Sequence, residues 1–380
     1  MKTFDKSSKL EHVAYDIRGP VLDEANRMIA KGEKILRLNT GNPAEFGFTA
    51  PDEVIRDLIM NVRNREGYSD SKGIFSARKA IMQYCQLKGF PNVDIDDIYI
   101  GNGVSEMIPM SMQALLDDGD EVLVPMPDYP LWTACVSLAG GNAVHYVCDE
   151  KSNWYPDIDD IKSKITSNTK AIVVINPNNP TGMLIPHRLL KKILEKSRKL
   201  GILLVVDECF LDFVKEPQEY SLKRSLSGFN NLFILKAFTK RYAMAGVRLG
   251  YGLCSNRVLL DKMERNVQPW NVSTMAQAAG IQALSETEYV EKGRQLVFRE
   301  SQWLKDEMTR IGYKVFPSEA NYIFFKGPEE LFDFCLRKRI VIRDCSNYPG
   351  LTKGYYRIAV KTHEENVKLI EVLEGGILWQ

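Results

Sequence analysis

Residues 231–251 read NLFILKAFTKRYAMAGVRLGY and carry most of the information about this chain. The apolar run Leu232 to Leu235 is typical of a buried strand, and a polar turn with Lys240 follows it. A lysine amine attacks a carbonyl only when it is unprotonated, and burial or a nearby cation such as Arg248 favours that form. Taken alone, Lys240 could equally be a solvated surface lysine. Together with the segments below, it is predicted to form a Schiff base.

Two loops after predicted strands add polar groups suited to a pyridine ring. Asp207 ends the apolar run Ile202 to Val206, and a carboxylate at the end of a strand can pair with a protonated pyridine nitrogen. The run Ala171 to Ile175 is followed by NPNNPTG at residues 176–182, which can direct an amide at the ring hydroxyl. Both loops therefore predict contacts to the same kind of ring.

A third segment, IYIGNGVSE at residues 98–106, predicts a phosphate site. A strand turns through glycines into a helix, whose first amides, in Gly103, Val104 and Ser105, can hold a phosphate. A glycine-rich turn of this kind also suggests a dinucleotide site, but Glu106 stands where that motif has its third glycine. The dinucleotide interpretation also leaves NPNNPTG and Lys240 unexplained. The three segments and Lys240 together indicate pyridoxal 5'-phosphate.

With these motifs in this order, the chain resembles the fold-type I, pyridoxal phosphate-dependent aminotransferases of class I and II over nearly its whole length. The alternation of strands and helices by itself predicts an α/β fold with a largely parallel sheet. The resemblance implies a large domain with a mixed, mostly parallel seven-stranded sheet flanked by helices, and a smaller α/β domain. It implies an N-terminal arm and part of the small domain at residues 1–45, the cofactor-binding domain at 46–285 and the C-terminal small domain at 286–380.

The C-terminal part is predicted to begin with a long helix, from about Glu288 to Ile311. The apolar runs after it predict short strands at Tyr313–Phe316, Tyr322–Phe325, Ile340–Arg343 and Tyr355–Val360. Arg357 lies on the last of these strands. An outward-facing arginine there would be inert, but the pattern YYRIAV matches the arginine that binds the substrate α-carboxylate in the family.

The resemblance implies a role for each site residue. Lys240 bonds the cofactor and then acts as a base, while Asp207 keeps the ring nitrogen protonated. Phe210 stands where many relatives have a tyrosine. The implied cofactor contacts are Gly103, Val104, Ser105, Tyr129, Asn179, Asp207, Phe210, Thr239, Lys240, Arg248 and, from the opposite subunit of a homodimer, Tyr68. The implied substrate contacts are Tyr15, Arg18, Gly41, Asn179 and Arg357.

Two subfamilies contribute to the resemblance. Up to about Gly182 the chain is similar to bacterial alanine-type aminotransferases, through YDIRGP, GYSDSKG and PDYPLWTA. From about Gly201 it is similar to histidinol-phosphate aminotransferases and threonine-phosphate decarboxylases, through AFTK, PSEANY and RDCSNY. The first similarity implies ping-pong transfer of an amino group between a small amino acid, alanine, and a 2-oxo acid such as 2-oxoglutarate. The alternatives are the two phosphate-substrate activities and a non-catalytic, cofactor-binding regulator.

Composition limits the partners. The 50 Lys and Arg residues nearly balance the 49 Asp and Glu residues, so no nucleic acid partner is expected. The seven cysteines and four histidines are scattered without a metal-ligand spacing, and no metal is predicted. The polar start, Met1 to Lys9, and the lack of an apolar run of roughly 20 residues predict a cytoplasmic protein without membrane spans.

Overall fold

The computed structural model describes residues 7, 9–10, 13, 19–41 and 49–377, and of residues 19–24 it describes the backbone alone. In chain order the strands are β1 (Leu36–Arg37), β2 (Ile98–Gly101), β3 (Glu121–Met126), β4 (Asn142–Val147), β5 (Thr169–Ile175), β6 (Leu203–Asp207), β7 (Leu232–Ala237), β8 (Gly250–Cys254), β9 (Lys314–Val315), β10 (Tyr322–Lys326), β11 (Ile340–Val341), β12 (Arg343–Asp344) and β13 (Tyr355–Ala359).

The helices surround these strands. They are α1 (Gly19–Ala30), α2 (Asp52–Asn61), α3 (Phe75–Leu87), α4 (Val104–Leu115), α5 (Leu131–Leu138), α6 (Ile158–Lys164), α7 (His187–Lys199), α8 (Phe238–Arg241), α9 (Arg257–Asn266), α10 (Thr274–Ala283), α11 (Thr287–Arg310), α12 (Leu331–Arg337) and α13 (His363–Ile377). Within the described residues, no helix is both long enough and apolar enough to cross a membrane.

The largest sheet has seven strands in the order β2-β8-β7-β6-β5-β3-β4. All neighbouring pairs are parallel except the two that involve β8, which runs antiparallel to β2 and to β7. The predicted fold class, a mixed and mostly parallel seven-stranded sheet with flanking helices, is confirmed. In such a sheet the loops at the carboxyl ends of the parallel strands meet along one edge, where α/β proteins bind ligands.

The sheet is buried on both faces because helices cover each of them. Every residue of β6 is buried, and successive side chains belong to different cores. Leu204 and Val206 pack in one hydrophobic cluster, whereas Leu203 and Val205 pack in the other. This follows from the two-residue period of a strand, and it explains why the central strands read as continuous apolar runs.

The covering helices are amphipathic where one side faces solvent. In α7, Leu190, Ile193 and Leu194 are buried, while basic residues occupy most of the exposed positions. Helix α10 lacks such a stripe, because its residues TMAQAAGIQA are mostly small and mostly buried. The sequence analysis did not predict α10, and the reason is that a helix buried nearly all round has no apolar periodicity to detect.

The C-terminal part forms a second, smaller α/β unit. Its sheet has the order β12-β13-β10-β9, and the separate pair β1 and β11 lies parallel. The long helix α11 leads into this unit, as predicted. The strand predicted at Ile340–Arg343 is divided in the structure, because β11 pairs with β1 while β12 pairs with β13. The domain limits at residues 45 and 285 stay predictions.

Candidate functional site

A cavity of about 250 Å³ opens at the carboxyl ends of β5, β6 and β7. It brings together most of the residues predicted to bind cofactor or substrate. Those that line it are Gly41, Val104, Ser105, Tyr129, Asn179, Asp207, Phe210, Thr239, Lys240, Arg248 and Arg357. Residues from both the large sheet and the C-terminal sheet contribute, so the cavity lies between the two units.

Asp207 is the last residue of β6 and its side chain is buried. One carboxylate oxygen accepts a hydrogen bond from the backbone N–H of Cys209 at 3.1 Å. Burial raises the pKa of Asp207, because desolvation disfavours its charge. Among the described residues no cation forms an ion pair with this carboxylate. A protonated ring nitrogen in the cavity would supply the missing positive charge.

Lys240 lies in the one-turn helix α8, which follows β7 directly. Its Nζ donates a hydrogen bond to the carbonyl oxygen of Gly41 at 3.0 Å and lies 5.9 Å from the centre of the Phe210 ring. Strands β6 and β7 are paired in register from Leu204 and Leu232 to Asp207 and Leu235. This pairing brings the segment with Lys240 to the same sheet edge as Asp207.

The start of α4 forms an anion cradle with Arg248. Gly103 precedes the helix with φ +76°, and a Cβ at this position would lie 2.9 Å from Nη2 of Arg248. Nη2 of Arg248 donates to Oγ of Ser105 at 2.7 Å. The first amides of a helix lack intrahelical acceptors, so Val104 and Ser105 present N–H groups beside this guanidinium. The absence of a side chain at Gly103 leaves room for the Arg248 guanidinium to approach the start of the helix.

Arg357 is buried on β13, in the C-terminal sheet, and lines the same cavity. Its guanidinium donates hydrogen bonds to the Asn39 carbonyl oxygen at 2.9 Å and to Oδ1 of Asn179. It also lies 5.1 Å from the centre of the Tyr322 ring. These neighbours fix the guanidinium plane without neutralising its charge. The cavity therefore has, on this wall, a held guanidinium of the kind that could pair with a carboxylate.

Tyr129, Phe210 and Thr239 line the cavity as well. Tyr129 is half-buried in the loop between β3 and α5, and Thr239 is buried in α8. Phe210 contacts Tyr322 edge to face, with the ring centres 5.1 Å apart. A phenylalanine has no hydroxyl to donate, so Asn179 is the polar side chain that this part of the cavity offers to a ring oxygen.

Two predicted contacts, Gly103 and Tyr68, are not among the residues that line the cavity, although Gly103 directly precedes the lining residue Val104. Tyr68 is 83% exposed and stacks on Trp270, with the ring centres 4.4 Å apart, so within one chain it does not reach the site. Tyr15 and Arg18 lie outside the described residues, and their predicted substrate contacts stay predictions.

The structure adds lining residues that the sequence analysis did not select. They are Asn39, Thr40, Ile108, Ile175, Cys209, Ala237, Arg343 and Tyr348. Arg343 is the most informative, because the pairing of β12 with β13 places it directly opposite Arg357. Its segment, RDCSNY, was noted only as a family marker. A strand pairing between residues 343 and 357 is the signal that would have identified it.

The sequence profile of the family "Aminotransferase class I and II" matches residues 33–373, and the chain therefore belongs to that family. The "Glutamate-pyruvate aminotransferase AlaA" of Haemophilus influenzae is 54% identical over 251 residues, which are 66% of this chain and 62% of that protein. This chain thus matches somewhat under two thirds of that relative's length.

Two further relatives match over nearly the whole chain. The "Histidinol-phosphate aminotransferase" of Methanococcus aeolicus is 27% identical over 379 residues, 97% of this chain and 98% of that protein. A crystal structure of an aminotransferase from Escherichia coli has a TM-score of 0.87 and 36% sequence identity, and the match covers 99% of each chain. The predicted family, its fold and the similarity to alanine-type and histidinol-phosphate aminotransferases are confirmed.

Proposed function

We propose that this protein is a pyridoxal phosphate-dependent aminotransferase that moves the amino group between alanine and a 2-oxo acid such as 2-oxoglutarate. The observation that carries the proposal is the convergence of Lys240, Asp207 and the Arg248 cradle on one cavity, together with Arg357. The relatives named as glutamate-pyruvate and alanine aminotransferases support the choice of alanine.

The residues present fit this cofactor. The buried carboxylate of Asp207 would hold the ring nitrogen protonated, and Asn179 would contact the ring hydroxyl. The amides at the start of α4, with Arg248 and Thr239, would hold the phosphate. When bound, pyridoxal phosphate supplies an electron sink for the bonds at the substrate α-carbon.

The chain's own side chains then perform the remaining tasks. Arg357 binds the substrate α-carboxylate and fixes the position of the α-carbon. Lys240, once the substrate amine has taken its place, accepts and returns a proton at Nζ as a general base. Because one site handles both half-reactions, the two substrates are expected to follow ping-pong kinetics.

The test is a side-by-side assay of the purified, cofactor-loaded protein. We expect transamination with alanine and 2-oxoglutarate. Histidinol phosphate and threonine phosphate are the second candidates, favoured by the nearly full-length match to a histidinol-phosphate enzyme and by the second arginine, Arg343, on the cavity wall. Turnover of either phosphate ester without turnover of alanine would replace the proposal. No turnover with any amino donor would favour a cofactor-binding regulator.

Replacing Arg357 by alanine is expected to raise the KM for alanine by about 10- to 100-fold, because one hydrogen-bonded charge contact is worth roughly 1.5–3 kcal/mol. Arg357→Lys keeps the charge but loses the planar fork, so it should give an intermediate KM. Steady-state kinetics with alanine at saturating 2-oxo acid measure both values. An unchanged KM in Arg357→Ala would contradict the assigned role.

We also propose a homodimer in which Tyr68 of each subunit reaches the phosphate in the other subunit's site. An exposed apolar surface around Tyr68 supports this arrangement. Trp270, which stacks on Tyr68, is 57% exposed, and on α2, earlier in the chain, Ile59 is 69% exposed and Met60 76% exposed. Apolar side chains exposed in this way are typical of a protein interface.

Mixed dimers test the shared site. A Tyr68→Phe subunit loses one hydrogen bond to the phosphate, so its homodimer should bind the cofactor about tenfold more weakly. In a heterodimer with a Lys240→Met subunit, the intact Lys240 would meet the intact Tyr68, and that site should recover wild-type affinity. Affinity that stays weak in the heterodimer, or a monomer in light scattering, would contradict the proposal.

A further inference from the structure

A second cavity, of about 90 Å³, adjoins the turns that carry the two proposed catalytic residues. Asp207 and Lys240 line the first cavity, whereas their chain neighbours Glu208 and Arg241 line the second. Its volume exceeds several-fold the roughly 10–15 Å³ that one water molecule needs. The function proposed above assigns no task to this second cavity.

The wall of this cavity is a buried cluster of charges. Nζ of Lys236 lies 3.2 Å from Asp212 and 3.7 Å from Glu208. Nη1 of Arg241 lies 2.9 Å from Asp212. Oγ of Ser221 donates to Glu208 at 2.9 Å. These two carboxylates are thus already paired with Lys236 and Arg241.

Lys223 adds a third basic residue to the same wall. The residue is 6% exposed, and in the part of the chain that the structure describes its Nζ makes no hydrogen bond and no ion pair. Its Nζ lies 5.0 Å from the centre of the Phe90 ring. Burial lowers the pKa of Lys223, because desolvation disfavours its charge, while the nearby Glu208 and Asp212 act in the opposite direction. The cluster thus has three basic residues, Lys223, Lys236 and Arg241, and two carboxylates, Glu208 and Asp212.

Two arginines that line this cavity have buried N–H donors without an acceptor. Nε of Arg241 and Nε of Arg294 are buried and have no hydrogen-bond acceptor among the described residues. Both residues line the cavity, and the exposed Lys88 lines it too. Buried N–H groups normally have an acceptor, so this set of donors lacks one acceptor-rich group.

We propose that the second cavity binds a small oxyanion, with inorganic phosphate as the representative ligand. An oxyanion has several acceptor oxygens and a negative charge, which match the Lys223 ammonium and the arginine donors. The bound anion would balance the excess positive charge and tie Lys223 on its loop to Arg241 in α8. This site is separate from the proposed transaminase chemistry and does not depend on it.

The test measures phosphate binding to the cofactor-loaded protein by isothermal titration calorimetry at constant ionic strength and neutral pH. We expect a saturable site that persists in Arg357→Ala, which removes the anion contact of the first cavity. In Lys223→Met the affinity of this site should fall at least about tenfold, the loss expected for one charge-assisted hydrogen bond. The exposed Lys215→Met, at the rim of a different groove, serves as the matched control and should bind like the wild type.

A second variant should change the phosphate affinity in the opposite direction. Glu208→Gln removes a negative charge beside the cavity, so phosphate should bind more tightly to it than to the wild type. It also keeps the proposal testable if Lys223→Met does not fold. No saturable binding to the wild type, or equal affinity in the wild type, Lys223→Met and Glu208→Gln, would overturn the proposal and indicate that Lys223 is buried in its neutral form.

Discussion

Lys240→Met is expected to lower kcat for alanine transamination by about 10⁴-fold, the upper end of the range for loss of a positioned general base. Methionine has a similar length but no amine, so the variant can neither bond the cofactor nor move a proton at the α-carbon. The hydrogen bond from Nζ to the Gly41 carbonyl oxygen is lost as well. Stopped assays with alanine and 2-oxoglutarate over long incubation times measure the residual rate.

The matched control is Lys192→Met, an exposed lysine on α7, which should keep wild-type activity. The far-ultraviolet circular dichroism of both variants should equal that of the wild type, because neither lysine belongs to a hydrophobic core. If Lys240→Met retained more than a few per cent of the activity, another group would be the base.

Asp207→Asn is expected to lower kcat by about 10²- to 10³-fold. Asparagine has nearly the same shape but cannot balance a ring cation, and removing one partner of a buried ion pair costs roughly 3–5 kcal/mol. The side chain is buried and accepts a backbone hydrogen bond from Cys209, which the asparagine amide oxygen can keep. The ring should therefore bind in place but withdraw electrons less effectively.

Equilibrium dialysis measures cofactor affinity, and it therefore separates the lower kcat of Asp207→Asn from a loss of cofactor. Asp207→Asn should still retain pyridoxal phosphate, because the cradle of Gly103, Ser105 and Arg248 is untouched. The exposed Asp261→Asn on α9 is the control and should match the wild type in both rate and affinity. An Asp207→Asn protein with wild-type kcat would show that this carboxylate is not needed to hold the ring nitrogen protonated.

The fold was predictable because its central strands carry an unambiguous signal. Apolar runs such as 203–206 and 232–235 end in polar loops, and helical segments with an apolar stripe separate the other strands. The sequence did not predict helix α10, because this helix is buried nearly all round. It also did not predict the division of the strand at 340–343, because one apolar run contributes to two different sheets. Tertiary packing, which a local pattern does not contain, decided both cases.

The site was predictable where a residue ends a strand. Asp207, Asn179 and Lys240 follow strands of one parallel sheet, so their order along the chain implied a common edge. The sequence pattern does not identify Arg343 or Cys209 as site residues. Arg343 reaches the cavity through the pairing of β12 with β13, and Cys209 reaches it through the turn after Asp207. Nor does any pattern of spacing reveal that Lys223, Glu208 and Arg241 meet in a second cavity.

Reduction of the cofactor-loaded protein with borohydride, followed by peptide mass spectrometry, tests the central claim most directly. The account predicts one peptide with a stable pyridoxyl group, and it predicts that this group is on Lys240 and absent from the Lys240→Met protein. A label on a different lysine, or a protein that binds the cofactor but yields no labelled peptide, would contradict the account.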